Sequence, residues 1–426
     1  MFGDLQKMFT KFLHLTDPWR VSSVTVDDAE TRVDIRVVCD GKPAMVCPDC
    51  ECPCHGYDRR ERTWQHTDLF DMECHLHCAV DRMQCPKCGK VTMIDVPWAE
   101  KGSGFTLLFE ARSIALMKEM PVNAAADFLD VTDKRLWRVM ERYVDRRMEN
   151  LDLSGLTRFY VDETACRRGH RYISIFADED HNIIFVTEGN DSSTVSRFRR
   201  HLEEHGGKAE NIEYICCDMG KGFQSGIANE FPDAIVTYDR FHVMEHMTMA
   251  VDRARRHEWN ILREEGRLKE ATNLKGQRFL LLRNHDNLYQ NQKDRISDIL
   301  SSHAEIATVY NLKESLRDTW DYGSRYDAAN HLVSWLVTAE YSGIGALRDI
   351  IKLVDNHFNE ILNWFDSGMS NGVMEGINSV IQAVKNRARG YRDWRNLRTM
   401  CYLRGSGLCR SHAQVCGHPN RSHQRS

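Results

Sequence analysis

Residues 159–178 read FYVDETACRRGHRYISIFAD. A short apolar run, Phe159 to Val161, ends in two adjacent carboxylates, Asp162 and Glu163. Turn-forming residues follow, and a second apolar run begins at Tyr172. A carboxylate at the end of a buried strand is costly unless something compensates its charge. The stretch therefore reads as two strands of a meander, the first ending in an acid with work to do.

The neighbouring sequence extends the pattern. NIIFVTEG (182–189) reads as a third strand and SSTVSRFRRHLEEH (192–205) as a helix. IEYICCDMGKGF (212–223) is a fourth strand ending at Asp218, GKGFQSGIANEF (220–231) a short helix, and AIVTYDRFHV (234–243) a fifth strand. Three antiparallel strands, a helix, a strand, a helix and a strand make the order of the ribonuclease H fold. Strands one and four are neighbours there, so Asp162 and Asp218 should meet. Two strand-end acids are hard oxygen ligands suited to Mg²⁺. Glu163 is expected on the other side of the pleat.

A third acid comes from FDSGMSNGVMEGINSVIQAVKNRARGYRDW, which begins at residue 365. Val373, Ile377, Val380 or Ile381, and Val384 recur at helical spacing and form a core stripe. Glu375 lies near the opposite edge, in line with Asn378, Ser379 and Gln382, and Gly372 and Gly376 leave room for a close approach. Two metal ions held by three acids can activate a water or a 3′-hydroxyl and stabilise the leaving oxygen. Each acid alone is weak; the order strand-Asp, strand-Asp, helix-Glu gives the set its weight.

Nine of the 15 cysteines fall between Cys39 and Cys88, and no export signal precedes them. Clustered cysteines in that setting read as metal ligands rather than disulfides. Cys47-Pro-Asp-Cys50 and Cys85-Pro-Lys-Cys88 are two knuckles that aim four sulfurs at one structural Zn²⁺. Free buried thiols are the alternative, and Cys52, Cys54 and His55 compete as ligands. The 34 residues between the knuckles contain DMECHLHCAVDRM, where Met72, Cys74, Leu76, Cys78 and Val80 alternate as in a strand.

Between 108 and 147 the pattern is helical. VNAAADFL reads as a short helix, Asp130 and Val131 as a turn, and Thr132 as the cap of a helix with Leu136, Val139 or Met140, Tyr143 and Val144 buried. Lys134, Arg135 and Arg138 fall outside that stripe. This is the layout of a helix-turn-helix whose second helix enters the major groove, although a plain helical hairpin fits the pattern as well.

With 426 residues, 28% charged and 42% hydrophobic, the chain is long enough for several cores and ordinary for a soluble protein. No apolar run reaches membrane length, and a cytoplasmic location is expected. The net charge of −5 hides a basic end: from Lys385 onward there are ten Lys or Arg and one acid, Asp393. The expected fold class is α/β multidomain, with a ribonuclease H-like core carrying an all-helical insertion behind zinc ribbon-like and helix-turn-helix domains. The expected bounds are 1–98 (zinc ribbon-like), 105–150 (helix-turn-helix), 156–245 (core, first part), 246–370 (helical insertion), 371–400 (final helix) and 401–426 (basic, disordered tail).

In order along nearly the whole chain, these motifs resemble the ISL-three group of bacterial insertion-sequence transposases, which belong to the DDE transposases. The most specific are VDETACRRGHRYISIFAD, CCDMGKGF, FPDAIVTYDRFHV and GVMEGINSVIQAVKNRARGYRDW. The resemblance implies a catalytic triad of Asp162, Asp218 and Glu375 with Mg²⁺, two ions in number and Mn²⁺ able to substitute. It adds Asp239 and His242 as a supporting D-x-x-H pair. The 156 residues between Asp218 and Glu375 are similar to the helical insertion that contacts transposon ends in relatives. Trp259 and Trp320 lie within it, as stacking candidates or as core. The partners implied are double-stranded DNA, as terminal inverted repeats and target, and a second protomer in a homodimer or larger assembly, with no membrane. Arg387, Arg389, Arg392 and Arg395 would hold phosphates. The expected function is metal-dependent cleavage and strand transfer in a prokaryotic cytoplasm. A catalytically inactive, transposase-derived repressor and a nuclease of the same fold are the competing readings.

Overall fold

The computed structural model describes residues 2–41, 43, 45–167, 171–370 and 372–405. The chain divides between Tyr143 and Val144 into two compact units.

The first unit opens with helix α1 (Phe2–Phe12) and strands β1 (Trp19–Val26), β2 (Arg32–Cys39), β3 (His55–Leu69), β4 (Met72–Gln84) and β5 (Val91–Met93). They form one sheet in the order β1-β2-β4-β3, with β5 also paired to β4. The expected alternation in β4 holds: Cys74, Leu76, Cys78 and Val80 are buried against Val33, Ile35, Val37 and Trp64. Trp98 stands edge-on to Trp19 and Trp64, with centroids 5.1 and 5.5 Å away. Helices α2 (Leu107–Glu119), α3 (Val122–Phe128) and α4 (Asp133–Glu149) follow. Thr106 caps α2 and hydrogen-bonds Nδ1 of the buried His66 at 2.8 Å. The buried Glu110 of α2 accepts from Arg142 of α4, tying the helices together. Leu136, Val139, Met140 and Val144 are buried as expected.

The second unit carries strands β6 (Arg158–Arg167), β7 (Arg171–Ala177), β8 (Ile183–Glu188), β9 (Tyr214–Cys217) and β10 (Ile235–Tyr238), with α5 (Ser192–Glu204) after β8 and α6 (Lys221–Glu230) after β9. The sheet order is β10-β9-β6-β7-β8. β6 pairs parallel with β9, β9 parallel with β10, and β7 antiparallel with both β6 and β8. Strands one and four of the series are thus neighbours. Phe159, Val161, Phe176, Ile215 and Cys217 bury one face under Val195, Phe198 and Leu202 of α5 and Phe223 and Ile227 of α6.

The expected fifth strand is shorter than its sequence suggested. It stops at Tyr238, because Asp239 is the N-cap of α7 (Arg240–Glu264) and Phe241 to Val243 are helical. Helices α8 (Leu268–Gly276), α9 (Arg278–Leu282), α10 (Gln290–Ser302), α11 (Ala304–Asp318), α12 (Arg325–Tyr341), α13 (Arg348–Asn356), α14 (Phe358–Leu362) and α15 (Trp364–Ser367) follow. Their core includes Met247, Val251, Leu281, Leu316 and Trp335. The series returns to the β10 edge, where Asn363 donates to the Val236 carbonyl (2.7 Å) and Thr237 donates to the Ser367 hydroxyl (2.9 Å).

Helix α16 (Gly372–Arg387) then packs on β6, and α17 (Trp394–Gly405) on β8. The expected start of a tail at 401 is corrected. Cys401, Tyr402 and Leu403 are buried helical residues, and the Tyr402 hydroxyl accepts the Val186 N–H at 2.9 Å. The rest of that segment lies outside the described residues. Among the described residues no helix is long and apolar enough to cross a membrane.

Candidate active site and metal centre

Three parallel strands share one register; β9 and β10 stop at it, whereas β6 runs on to Arg167 beside β7, so Asp162 lies within its strand and not at the end expected from the sequence. Val161 on β6 is in register with Cys217 on β9, and Cys217 with Tyr238 on β10. The next residue on each chain is an aspartate: Asp162, Asp218 and Asp239. The carboxyl ends of parallel strands are where open α/β sheets bind ligands. Asp162 and Asp239 are both buried.

Successive strand side chains alternate between faces. Val161 enters the core under α5 and α6, so Asp162 turns to the face covered by α16. Its Oδ2 accepts from Asn378 Nδ2 and its Oδ1 from the Glu163 N–H, both at 2.8 Å. Asp218 has left its strand, and its Oδ1 accepts the Gly220 N–H at 2.9 Å.

Glu163 turns away from Asp162, as expected. The sequence reading did not reveal where that side leads. Burial foremost, and then the charge of Asp218, raise the Glu163 carboxyl above its ordinary value, while a hydrogen bond with Asn190 and the charge of His242 oppose them. Glu163 therefore shares an electrostatic neighbourhood with Asp218 and His242. His242 also pairs with Glu245 at 3.5 Å.

Glu375 sits exposed in the first turn of α16. With Asp239 it lines a cavity of about 650 Å³ whose other walls include Arg240, Phe241, Arg317 and Trp320. Trp320 is buried, and its indole N–H has no acceptor. Trp259 is half-buried against the helical core with Arg263 4.8 Å over its ring. Among the described residues, the only sets of three or more His, Cys, Asp or Glu side chains whose ligand atoms all lie within 4.8 Å are elsewhere, so Asp162, Asp218 and Glu375 are not drawn together to that distance.

One such set is Cys47, Cys50, Cys85 and Cys88 in the first unit. The knuckles have the same backbone. Glu51 N–H donates to the Cys47 carbonyl and Gly89 N–H to the Cys85 carbonyl, each at 2.9 Å, with φ of 53° and 71° at the donors. They meet because one precedes β3 and the other follows β4, its antiparallel partner. The Cys88 N–H pulls the Cys85 thiol down to about 6. Cys50 is pushed up, first by its hydrogen bond with Cys88 and then by burial and Cys47. Crowded thiols with a thiolate among them are a donor set that fits a soft divalent cation. Cys52 lies beside them, its sulfur 3.3 Å from that of Cys85.

The other set, His201, Glu204 and His205, closes the end of α5. Three of its four ring nitrogens already face carbonyl oxygens: those of Ile184 (3.1 Å), His201 (2.8 Å) and Met148 (2.9 Å). That arrangement pins a helix terminus.

The expected DNA-contacting side chains divide. Lys134 and Arg138 are exposed, whereas the Arg135 guanidinium stacks 3.9 Å over Phe105 and is partly desolvated. Arg387, Arg389, Arg392 and Arg395 are exposed at and beyond the end of α16.

Comparison with known proteins adds to this geometry. Residues 160–401 match a family described as transposase, and residues 94–144 match the helix-turn-helix domain of transposase family ISL3. The chain is 27% identical over 352 residues to the transposase for insertion sequence element IS1001 of Bordetella parapertussis, covering 82% of this chain and 86% of that protein. It is 24% identical over 434 residues to the transposase for insertion sequence element IS1557 of Mycobacterium tuberculosis, covering 94% and 96%.

Proposed function

The chain belongs to the transposase family ISL3, and from that premise we propose that it cuts and joins the ends of an insertion sequence through Asp162, Asp218 and Glu375. The observation that carries the assignment is the shared register of three parallel strands, which sets Asp162 within β6 level with Asp218 and Asp239 just past the ends of β9 and β10. The sheet order and the helix carrying Glu375 fit a ribonuclease H-like core. The full-length likeness to transposases gives the repressor alternative no support.

The donor set fits Mg²⁺. All three groups are hard oxygens, the ligand type that Mg²⁺ takes. Asp162, Asp218 and Glu375 would hold two ions, which supply Lewis acidity to the attacking and leaving oxygens of an in-line displacement. The protein's own part is orientation. Asp162 is fixed from two sides by N–H donors, and Asp218 by the turn into α6. Asp239, at the N-cap of α7, and His242 brace the third strand end. The cavity between Asp239, Glu375 and Trp320 gives a DNA strand an approach to the acids.

In the first unit, Cys47, Cys50, Cys85 and Cys88 would hold a structural Zn²⁺ in a ribbon-like domain. Lys134 and Arg138 of the helix-turn-helix would meet the terminal inverted repeats, and Arg387, Arg389, Arg392 and Arg395 the phosphate backbone. Arg135 is the least suited of these, being committed to Phe105. Two protomers would pair the two ends, in the cytoplasm.

The test is cleavage of labelled DNA carrying the ends that flank the gene, with Mg²⁺, by wild type and Asp218→Ala. The expected outcome is binding by both and cleavage by wild type alone. Binding without cleavage by either, in Mg²⁺ or Mn²⁺, would overturn the assignment.

A further inference from the structure

Helix α16 meets β6 through a polar ladder. Glu375, Asn378, Gln382 and Lys385 are spaced three, four and three residues apart, so they share one helical face. Three of them reach the strand. Asn378 Nδ2 donates to Asp162 Oδ2 at 2.8 Å, Gln382 Nε2 donates to Thr164 Oγ1 at 2.9 Å, and the Lys385 ammonium donates to the Ala165 carbonyl. Asn378 also has a buried carboxamide oxygen with no hydrogen-bond partner. A buried unpaired acceptor is unfavourable, and docking alone does not call for it, since Gln382 and Thr164 join the same two elements one turn on. The carboxamide cannot reverse to relieve it, because the oxygen would then face the Asp162 carboxylate.

We infer that Asn378 is a positioning residue for the transposase reaction, holding the Asp162 carboxylate in its metal-binding orientation and linking it to the helix that carries Glu375. The inference rests on the catalytic reading proposed above. Asp162 Oδ1 accepts the Glu163 N–H and Oδ2 accepts from Asn378, both uncharged donors. The other side chain of the pair comes from α16, one turn beyond Glu375. Asn378 thus orients one acid and sets its distance from another. Groups that orient metal ligands in this way change metal affinity or activity by about 10–100-fold when removed.

The experiment measures DNA cleavage against Mg²⁺ concentration for wild type, Asn378→Leu, Asn378→Asp, Gln382→Ala and Asp218→Ala, with Mn²⁺ binding to the DNA-free full-length proteins as a second reading. Asn378→Leu keeps the branched skeleton and removes the donor; Asn378→Asp keeps shape and sets a second carboxylate against Asp162. Both are expected to raise the half-saturating Mg²⁺ concentration roughly 10–100-fold and to weaken Mn²⁺ binding. Gln382→Ala is expected to lower the melting temperature and leave half-saturation within about twofold, because it disturbs docking alone. Metal dependence unchanged in both Asn378 variants, with Asp218→Ala inactive, refutes the role of Asn378 and spares the catalytic reading. An active Asp218→Ala refutes the catalytic reading itself.

Discussion

Alanine at position 222 and alanine at position 376 are the same chemical change in two helices, and the structure gives them opposite signs. Gly222 lies in α6 where the helix passes the loop into α5. A Cβ there would fall 2.4 Å from the Asn190 carbonyl oxygen and 2.9 Å from Asp191 Cα. Both atoms are backbone, so no side chain can swing aside. Gly226, one turn on, is also crowded, 2.7 Å from Val195 Cγ2 and 3.1 Å from the Ser192 carbonyl oxygen. Replacing an interior helical glycine by alanine contributes about 1 kcal/mol through propensity. Overpacking costs about 1–3 kcal/mol, and a rigid contact of this kind belongs at the upper end. The net expectation for Gly222→Ala is a loss of about 2 kcal/mol, which in a unit of this size lowers Tm by roughly 4–8 °C. Gly376, in α16, has nothing within 4 Å of its Cβ position. Gly376→Ala should raise Tm by roughly 2–4 °C from propensity alone. The assay is thermal melting of the full chain followed by circular dichroism. If Gly222→Ala melts at or above wild type, the backbone-contact argument is wrong. Activity supplies a second reading, since the displaced loop carries Asn190, the partner of Glu163. Gly222→Ala should therefore cut more slowly even below its melting point.

Three further outcomes are expected. Chelating Zn²⁺, or replacing Cys50 by serine, should weaken binding to the terminal repeats and expose the tryptophans packed around Trp98, read as a change in fluorescence; metal analysis showing no bound zinc would exclude it. His66 is held at about 4 by burial, below the 6.5 or so of an unfolded chain. The folded state therefore resists a proton that the unfolded state takes, and stability should fall by up to about 3 kcal/mol as pH drops from roughly 6.5 to 4. Urea titrations across that range should show a flatter dependence in His66→Gln. Lys313 is buried, with its ammonium on the Leu281 (3.0 Å) and Arg283 (2.6 Å) carbonyls and an ion pair to Glu314 (2.8 Å). Lys313→Met should cost about 3–5 kcal/mol in denaturant melts, because it strands those partners.

What could be read from the sequence was what local patterns encode. Asp162 and Asp218 could be found because each closes an apolar run, and the knuckles because two CPxC motifs repeat. Strand β10 was read too long because Phe241 and Val243 alternate like strand residues. Val243 belongs instead to a helical stripe with Met247, Ala250, Val251 and Ala254, and Phe241 is exposed on the first turn. The end of α17 was hidden by its arginines, although Leu397, Met400, Cys401 and Leu403 recur at helical spacing. The bond from Asn378 to Asp162 spans 216 residues, and no local pattern carries it. Nor could the sequence tell that Arg135 would be spent on Phe105.

The hairpin of β3 and β4 is shut at both ends, by the cysteine knuckles at one and by the turn through Phe70 and Asp71 at the other. Its arms must therefore agree in length, yet β3 has 15 residues and β4 13. The pairing slips by one residue between Gly56 and Asp58 and by one more between His66 and Leu69, which takes up the difference. Insertions and deletions among descendants of this sequence are thus confined by a rule of parity. A residue gained in one arm has to be matched in the other or lodged at one of those two bulges, and a length change anywhere else in the hairpin would pull the sulfurs apart.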